Sequence, residues 1–169
     1  MGSIIPGAAA GPGISHTSGQ AAPTGRLHHT EIWVSDIAMA RSTLGWLFEE
    51  LGYAPGGSWK HGTSYVGAHD YLVLESGPDV LELPHRRRVP GINHLAFRAG
   101  DRRRVEELTQ EALQRGFTLL FAEAHPHAGG PGHYAAYLED PAGMEIELVA
   151  DDRAEPYTEV KDAGLPPAA

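Results

Sequence analysis

The chain has 169 residues, of which 41% are hydrophobic, and a mean hydropathy of −0.28; this is enough for one domain with a real core. Its formal net charge of −9 argues against nucleic-acid binding, which requires a basic surface. The absence of cysteine excludes a disulfide framework, a thiolate nucleophile and a thiolate metal site, so any metal must be held by histidine and carboxylate.

Residues 1–25 are rich in Gly, Ala, Pro and Ser and are expected to form a disordered leader. No Lys or Arg precedes Arg26 and no apolar run is sustained, so this segment does not read as a secretory signal. No stretch approaches the length of a transmembrane helix, so no membrane partner is expected and a cytoplasmic location is the default. The folded unit is expected over 26–152, with 153–169 a flexible tail.

Residues 27–34 alternate as a strand, with Thr30, Ile32 and Val34 on one face and His29, Glu31 and Trp33 on the other. Ser35 or Asp36 then caps a helix whose stripe is Ile37, Ala40, Leu44, Leu47, Phe48 and Leu51, with Gly52 in the C-terminal cap position. In "YLVLES", Leu72 and Leu74 take one face and Tyr71, Val73 and Glu75 the other. Arg86, Arg87 and Arg88 read as a solvated loop, and Arg102, Arg103 and Arg104 as a solvated first helical turn.

A second strand carries Leu95 and Phe97 opposite His94, Ala96 and Arg98. Asp101 caps a helix with the stripe Val105, Leu108 and Ala112, stopped at Gly116. "HPHAGGPGHY", with His125, His127 and His133, reads either as a lid or substrate loop or as surface histidines without a role. Asp140-Pro-Ala-Gly143 is turn chemistry that makes a hairpin of the strands on either side. In the last strand Met144, Ile146 and Leu148 oppose Glu145, Glu147 and Val149.

The motif is repeated. "HHTEIWVSD" (28–36) returns as "NHLAFRAGD" (93–101), and each copy runs on through a helix and a Gly-aromatic pair to a strand bearing glutamate. Two copies are too few for a solenoid, so the pattern reads as one domain of two related halves, about 26–84 and 90–152. If the apolar faces pack on the helices, His29, Glu75, His94 and Glu147 all fall on the opposite, open faces.

These motifs, with "LG-aromatic" at the first helix end, "NHLAF" and "DP.G…EIEL" in order, resemble the vicinal-oxygen-chelate superfamily of glyoxalases, bleomycin-resistance proteins and extradiol dioxygenases. The resemblance implies an α+β fold: two βαβββ modules whose curled mixed sheets surround a metal cleft, helices outside. It implies metal ligands at His29, Glu75, His94 and Glu147, with Glu147 or Glu75 as catalytic base, and three ligands (His29, His94, Glu147) in a dioxygenase. His28 leads the strand but falls on the helix-facing side.

Such a nitrogen and oxygen set suits a divalent Zn, Ni, Fe, Co or Mn ion. The implied activity is a glyoxalase-like lyase or isomerase acting on a small carbonyl or diol compound. An Fe(II) dioxygenase and a bleomycin-resistance-like binding protein are the alternatives. Trp33 and Tyr71 would wall the substrate pocket, Arg98 would clamp an anionic group or pair with Glu31 or Glu145, and His133 would reach substrate from its loop. A homodimer is expected.

Overall fold

Asp36 ends the first strand and begins the first helix, because its carboxylate accepts hydrogen bonds from the amides of Ala38 and Met39 at 2.8 and 3.0 Å. In this computed structural model, which describes residues 24–81 and 83–151, that step recurs at Asp101, which accepts from the Arg104 amide at 2.8 Å. Residues 1–23, 82 and 152–169, which hold all but two residues of the expected leader and the whole of the expected tail, lie outside the described residues.

Strand β1 (His29–Trp33) leads into α1 (Ile37–Ala40), a π-helical turn (Arg41–Gly45) and α2 (Trp46–Glu50). One continuous helix was expected here. The π turn coincides with the Thr43 hydroxyl donating to the Met39 carbonyl at 3.0 Å, a local bond that competes with the helical ladder. Gly45 lies so close to the Tyr65 phenol that a Cβ at this position would overlap it. Three strands follow: β2 (Ala54–Trp59), β3 (Gly62–Val66) and β4 (Tyr71–Glu75).

The second half repeats this order with β5 (His94–Arg98), α3 (Arg102–Gln114), β6 (Thr118–Leu120), β7 (Ala135–Glu139) and β8 (Glu145–Val149). Each half forms a four-stranded mixed sheet, in the orders β1-β4-β3-β2 and β5-β8-β7-β6. The outer pair is parallel and the others antiparallel in both sheets, so the expected two-module α+β architecture is the one found.

Gly52 and Gly116 end the two helical runs at φ +91° and +89°, conformations that a side chain would strain. The helical stripes and the helix-facing strand residues form one core spanning both modules. Leu44, Leu47, Phe48, Leu108, Ile146 and Leu148 are all fully buried. Each such side chain contributes roughly 1.5–3 kcal/mol over exposure. Phe48 packs against Phe97 at 5.9 Å between ring centroids, and Trp46 against Phe117 at 6.4 Å, which fixes the two halves together.

The β7–β8 hairpin turns as its sequence demands. Asp140 accepts from the amides of Ala142 and Met144, and Gly143 sits at φ +93°. Burial pushes the Asp140 carboxyl up, partly opposed by these amide bonds and by His85.

In the segment joining the modules Arg86 and Arg88 are exposed, as expected of a solvated loop, but Arg87 is not. Arg87 bonds Glu145 at 3.0 Å and Glu139 at 3.3 Å and lies over the Phe121 ring. A carboxylate as buried as Glu145 needs a cation, and the linker supplies it. Nor is the first turn of α3 merely solvated, since Arg104 bonds Glu50 at 2.6 Å and ties the two helices together.

Candidate functional site

The open face of the second sheet gathers chemistry that no single strand provides. Glu147 is 5% exposed and is met from three sides. His94 brings Nε2 to 3.1 Å from Oε2, and His133 brings Nε2 to 2.5 Å from Oε1. Tyr137 donates its hydroxyl to the same carboxylate, and burial followed by that bond pushes the phenol well above its usual range.

The register explains the convergence. His94 pairs with Glu145 and Ala96 with Glu147 in the parallel β5–β8 ladder, while Tyr137 pairs with Glu147 in the antiparallel β7–β8 ladder. Side chains that alternate along neighbouring strands therefore share one face.

The tautomer of His94 follows from its neighbours. Asn93 donates its amide nitrogen to the Arg87 carbonyl at 2.8 Å, which turns its oxygen toward His94 Nδ1, also at 2.8 Å. Nδ1 must then carry a hydrogen, which leaves Nε2 for the carboxylate; the 3.1 Å contact is filled by a proton on Nε2 or by a metal ion shared with Glu147.

His133 is delivered by the loop 121–134. His125 faces both oxygens of Glu106 on α3, at 3.1 and 3.2 Å, and the Tyr134 hydroxyl donates to Glu106 at 2.8 Å. His133 and Tyr134 are consecutive, so anchoring Tyr134 on the helix side directs His133 to the open side. The Glu106 brace was not legible in the sequence, because a glutamate in an amphipathic helix has no distinguishing spacing.

In the first module His29 occupies the register position of His94, pairing with Tyr71 across the parallel β1–β4 ladder. Its ring stacks on Tyr71 at 4.8 Å with 7° between planes, and His28 meets it through Nδ1 at 2.9 Å. The residue matching Glu147 is Val73, which pairs with Glu31 as Glu147 pairs with Ala96.

Glu75 stands two positions further along β4, beside Trp33, and accepts from the Trp59 indole at 2.6 Å. The resemblance implies Glu75 as the counterpart of Glu147; the strand pairing puts Val73 at that register position. His94, Glu147 and His133 are thus brought together, whereas His29 and Glu75 are not brought to them. Among the described residues no group of three or more His, Cys, Asp or Glu side chains is arranged to hold a metal ion within one chain.

Trp33 is 54% exposed and donates to Glu31 at 2.7 Å. Arg98 pairs with Asp151, rather than with Glu31 or Glu145.

Residues 28–137 match the family described as the glyoxalase/bleomycin resistance protein/dioxygenase superfamily. The chain belongs to this superfamily. It is 40% identical over 126 residues to the uncharacterized protein YqjT of Bacillus subtilis strain 168, covering 73% of this chain and 98% of that protein. The crystal structure of a candidate glyoxalase from Bacillus halodurans is 42% identical, with a TM-score of 0.72 over 76% of this chain and 97% of that one. A lactoylglutathione lyase from Agrobacterium tumefaciens shares the fold at 19% identity, with a TM-score of 0.52 over 76% of this chain and 96% of that one. No helix among the described residues is long and apolar enough to cross a membrane.

Proposed function

We propose that the protein is a metal-dependent enzyme of glyoxalase type, a lyase or isomerase acting on a small carbonyl or diol compound. The observation that carries this reading is the buried carboxylate of Glu147 facing His94 Nε2 at 3.1 Å. That pair fits half of a divalent centre. Its nitrogen and oxygen donors suit Zn, Ni, Fe, Co or Mn, and the Asn93 contact holds the imidazole in the ligating tautomer.

His29 is the proposed third ligand. Because it does not join His94 and Glu147 within one chain, the reading includes a C2 homodimer in which one chain's first module faces its partner's second. Bound there, the metal would polarise neighbouring substrate oxygens and lower the cost of removing an adjacent proton. Glu147 is the proposed base, and a proton arriving at its Oε1 has His133 Nε2 at 2.5 Å to receive it. Tyr137 holds the same carboxylate in place. Arg98 and Tyr71 remain proposed substrate contacts.

A second reading has one observation in its favour. With Val73 at the fourth position the set is two histidines and one carboxylate, the arrangement of Fe(II) oxygenases. Metal analysis of the purified protein, followed by turnover in deuterated water under an oxygen electrode, separates the two. Zinc or nickel, with solvent deuterium in the product and no oxygen uptake, is the expected result. Iron with stoichiometric oxygen uptake would transfer the assignment to dioxygenation. A protein without stoichiometric metal would overturn both.

A further inference from the structure

At the far end of the first module's open face, four residues stand in one row across the sheet. Trp33 pairs with Glu75, Glu75 with Gly62, and Gly62 with Trp59. Gly62 has no side chain, and this lets the Trp59 indole lie back across it: a Cβ there would overlap both the indole ring and the Glu75 carboxylate. The Trp59 N–H bonds Glu75 at 2.6 Å, and the Trp33 N–H bonds Glu31 at 2.7 Å. The two carboxylates are therefore held by the edges of two indoles whose rings stay 54% and 42% exposed.

Among the described residues neither Glu31 nor Glu75 is paired with a cation. The nearby cationic side chain Arg41 is committed to the Gly62 carbonyl at 2.9 Å and to Ser58 Oγ at 3.0 Å. The contrast with the third tryptophan is informative. Trp46 carries Arg115 over its ring at 4.3 Å, whereas no side-chain cation lies over Trp33 or Trp59 among the described residues. Exposed indoles beside carboxylates that no cation pairs attract a weakly hydrated cation through the ring quadrupole and through charge.

We propose that Trp33, Glu31, Glu75 and Trp59 form a binding site for an organic cation, an alkylated ammonium group. As a statement about substrate, this rests on the cleft proposed above. Glu75 lies four residues along β4 from Tyr71, the neighbour of His29, or roughly 13 Å at the strand rise. The substrate class would then be a compound with its reacting oxygens near His29 and a cationic group about four strand residues away.

The site is tested without metal by following the three tryptophan indole N–H resonances during titration with choline, and with 3,3-dimethylbutanol as its uncharged isostere. The expected result is saturable movement of the Trp33 and Trp59 signals by choline, with Trp46 still, and binding at least tenfold weaker for the isostere. Glu75→Gln keeps an acceptor for the Trp59 N–H and removes only the charge, so it should weaken choline at least tenfold while leaving the indole bond. Equal binding of choline and its isostere, or unaltered choline binding in Glu75→Gln, would overturn the proposal. Loss of metal binding in a His94 variant leaves this titration unchanged if the proposal holds, so the two readings fail separately.

Discussion

The two modules share strand order, register and helix caps, yet only the second assembles a polar centre. At the position where β8 offers Glu147, β4 offers Val73; where β7 sets Tyr137 opposite Glu147, β3 sets Ser64 opposite Val73, and His29 stacks on Tyr71. The repeated histidine thus stands in two environments, one a half-buried hydrogen-bonded cluster around a buried carboxylate and the other an exposed aromatic contact. A duplicated scaffold preserves where side chains point, because register and pleat do that, while each module's residues decide what chemistry the position carries.

The largest effect should come from the module that holds the carboxylate. Glu147→Ala and His94→Ala are expected to lower metal affinity by more than about 100-fold, since loss of outer-shell partners alone costs 10–100-fold. His29→Ala should do the same if the dimer completes the centre, and His28→Ala should leave affinity within a few-fold. Calorimetric titration with Zn²⁺ or Mn²⁺ reads all four. Undiminished binding in His29→Ala would confine the centre to the second module.

Restoring the symmetry is the sharper experiment. Val73→Glu places a carboxylate where Glu147 stands in the other module, at a position only 8% exposed. Without metal it should destabilise by roughly 2 kcal/mol, within the usual range for a mutation that buries an uncompensated polar group. With metal it should bind about tenfold tighter and recover the lost stability, because the ion compensates the buried charge. A variant that metal does not rescue would show that β4 does not face the centre.

A smaller effect is expected at the loop brace. Glu106→Ala removes the acceptor for Tyr134 and the partner of His125, so His133 should lose its fixed approach to Glu147. Metal affinity should fall by about tenfold, as for other outer-shell residues. Glu106→Gln retains an acceptor and should recover most of it. A loss of the same size in the His133→Ala background would show that Glu106 does not act through His133.

Much of this was legible from residues and much was not. Asp36, Asp101, Gly52 and Gly116 announce the helix ends because cap geometry demands those residue types, and period-2 alternation placed His94 and Glu147 on one face. Strands β2 and β6 were not legible on residue pattern: "APGGSW" carries a proline and two glycines and is bulged between Pro55 and Ser58, and "TLL" is too short to alternate. The resemblance sets Glu75 in the place of Glu147, and only the ladder reveals that Val73, opposite Glu31, holds the register position that Glu147 holds opposite Ala96. The cation needed by Glu145 comes from the linker, 58 residues away at Arg87, a separation that no local pattern encodes.

The smallest expected effect tests a support of the first module at high pH. Tyr53 follows Gly52 at the end of the first helical run, packs on Phe97 of the second module, and donates to Asp70 at 3.1 Å. Burial first, then the Asp70 charge and that bond, push its phenol up to about 12. In the unfolded chain the phenol ionises near 10. Between these values the folded state holds a proton that the unfolded state has released, so stability falls as pH rises from about 10 through 12. Urea unfolding at pH 9 and pH 11 should show this loss, and Tyr53→Phe should have a shallower decline, because phenylalanine has no proton to lose. The variant should also be slightly less stable at pH 7, by about 1 kcal/mol for one hydrogen bond. Identical pH slopes for the two proteins would mean that the alkaline loss arises at other tyrosines, Tyr137 being the first to examine, since burial and then its bond to Glu147 push its phenol up.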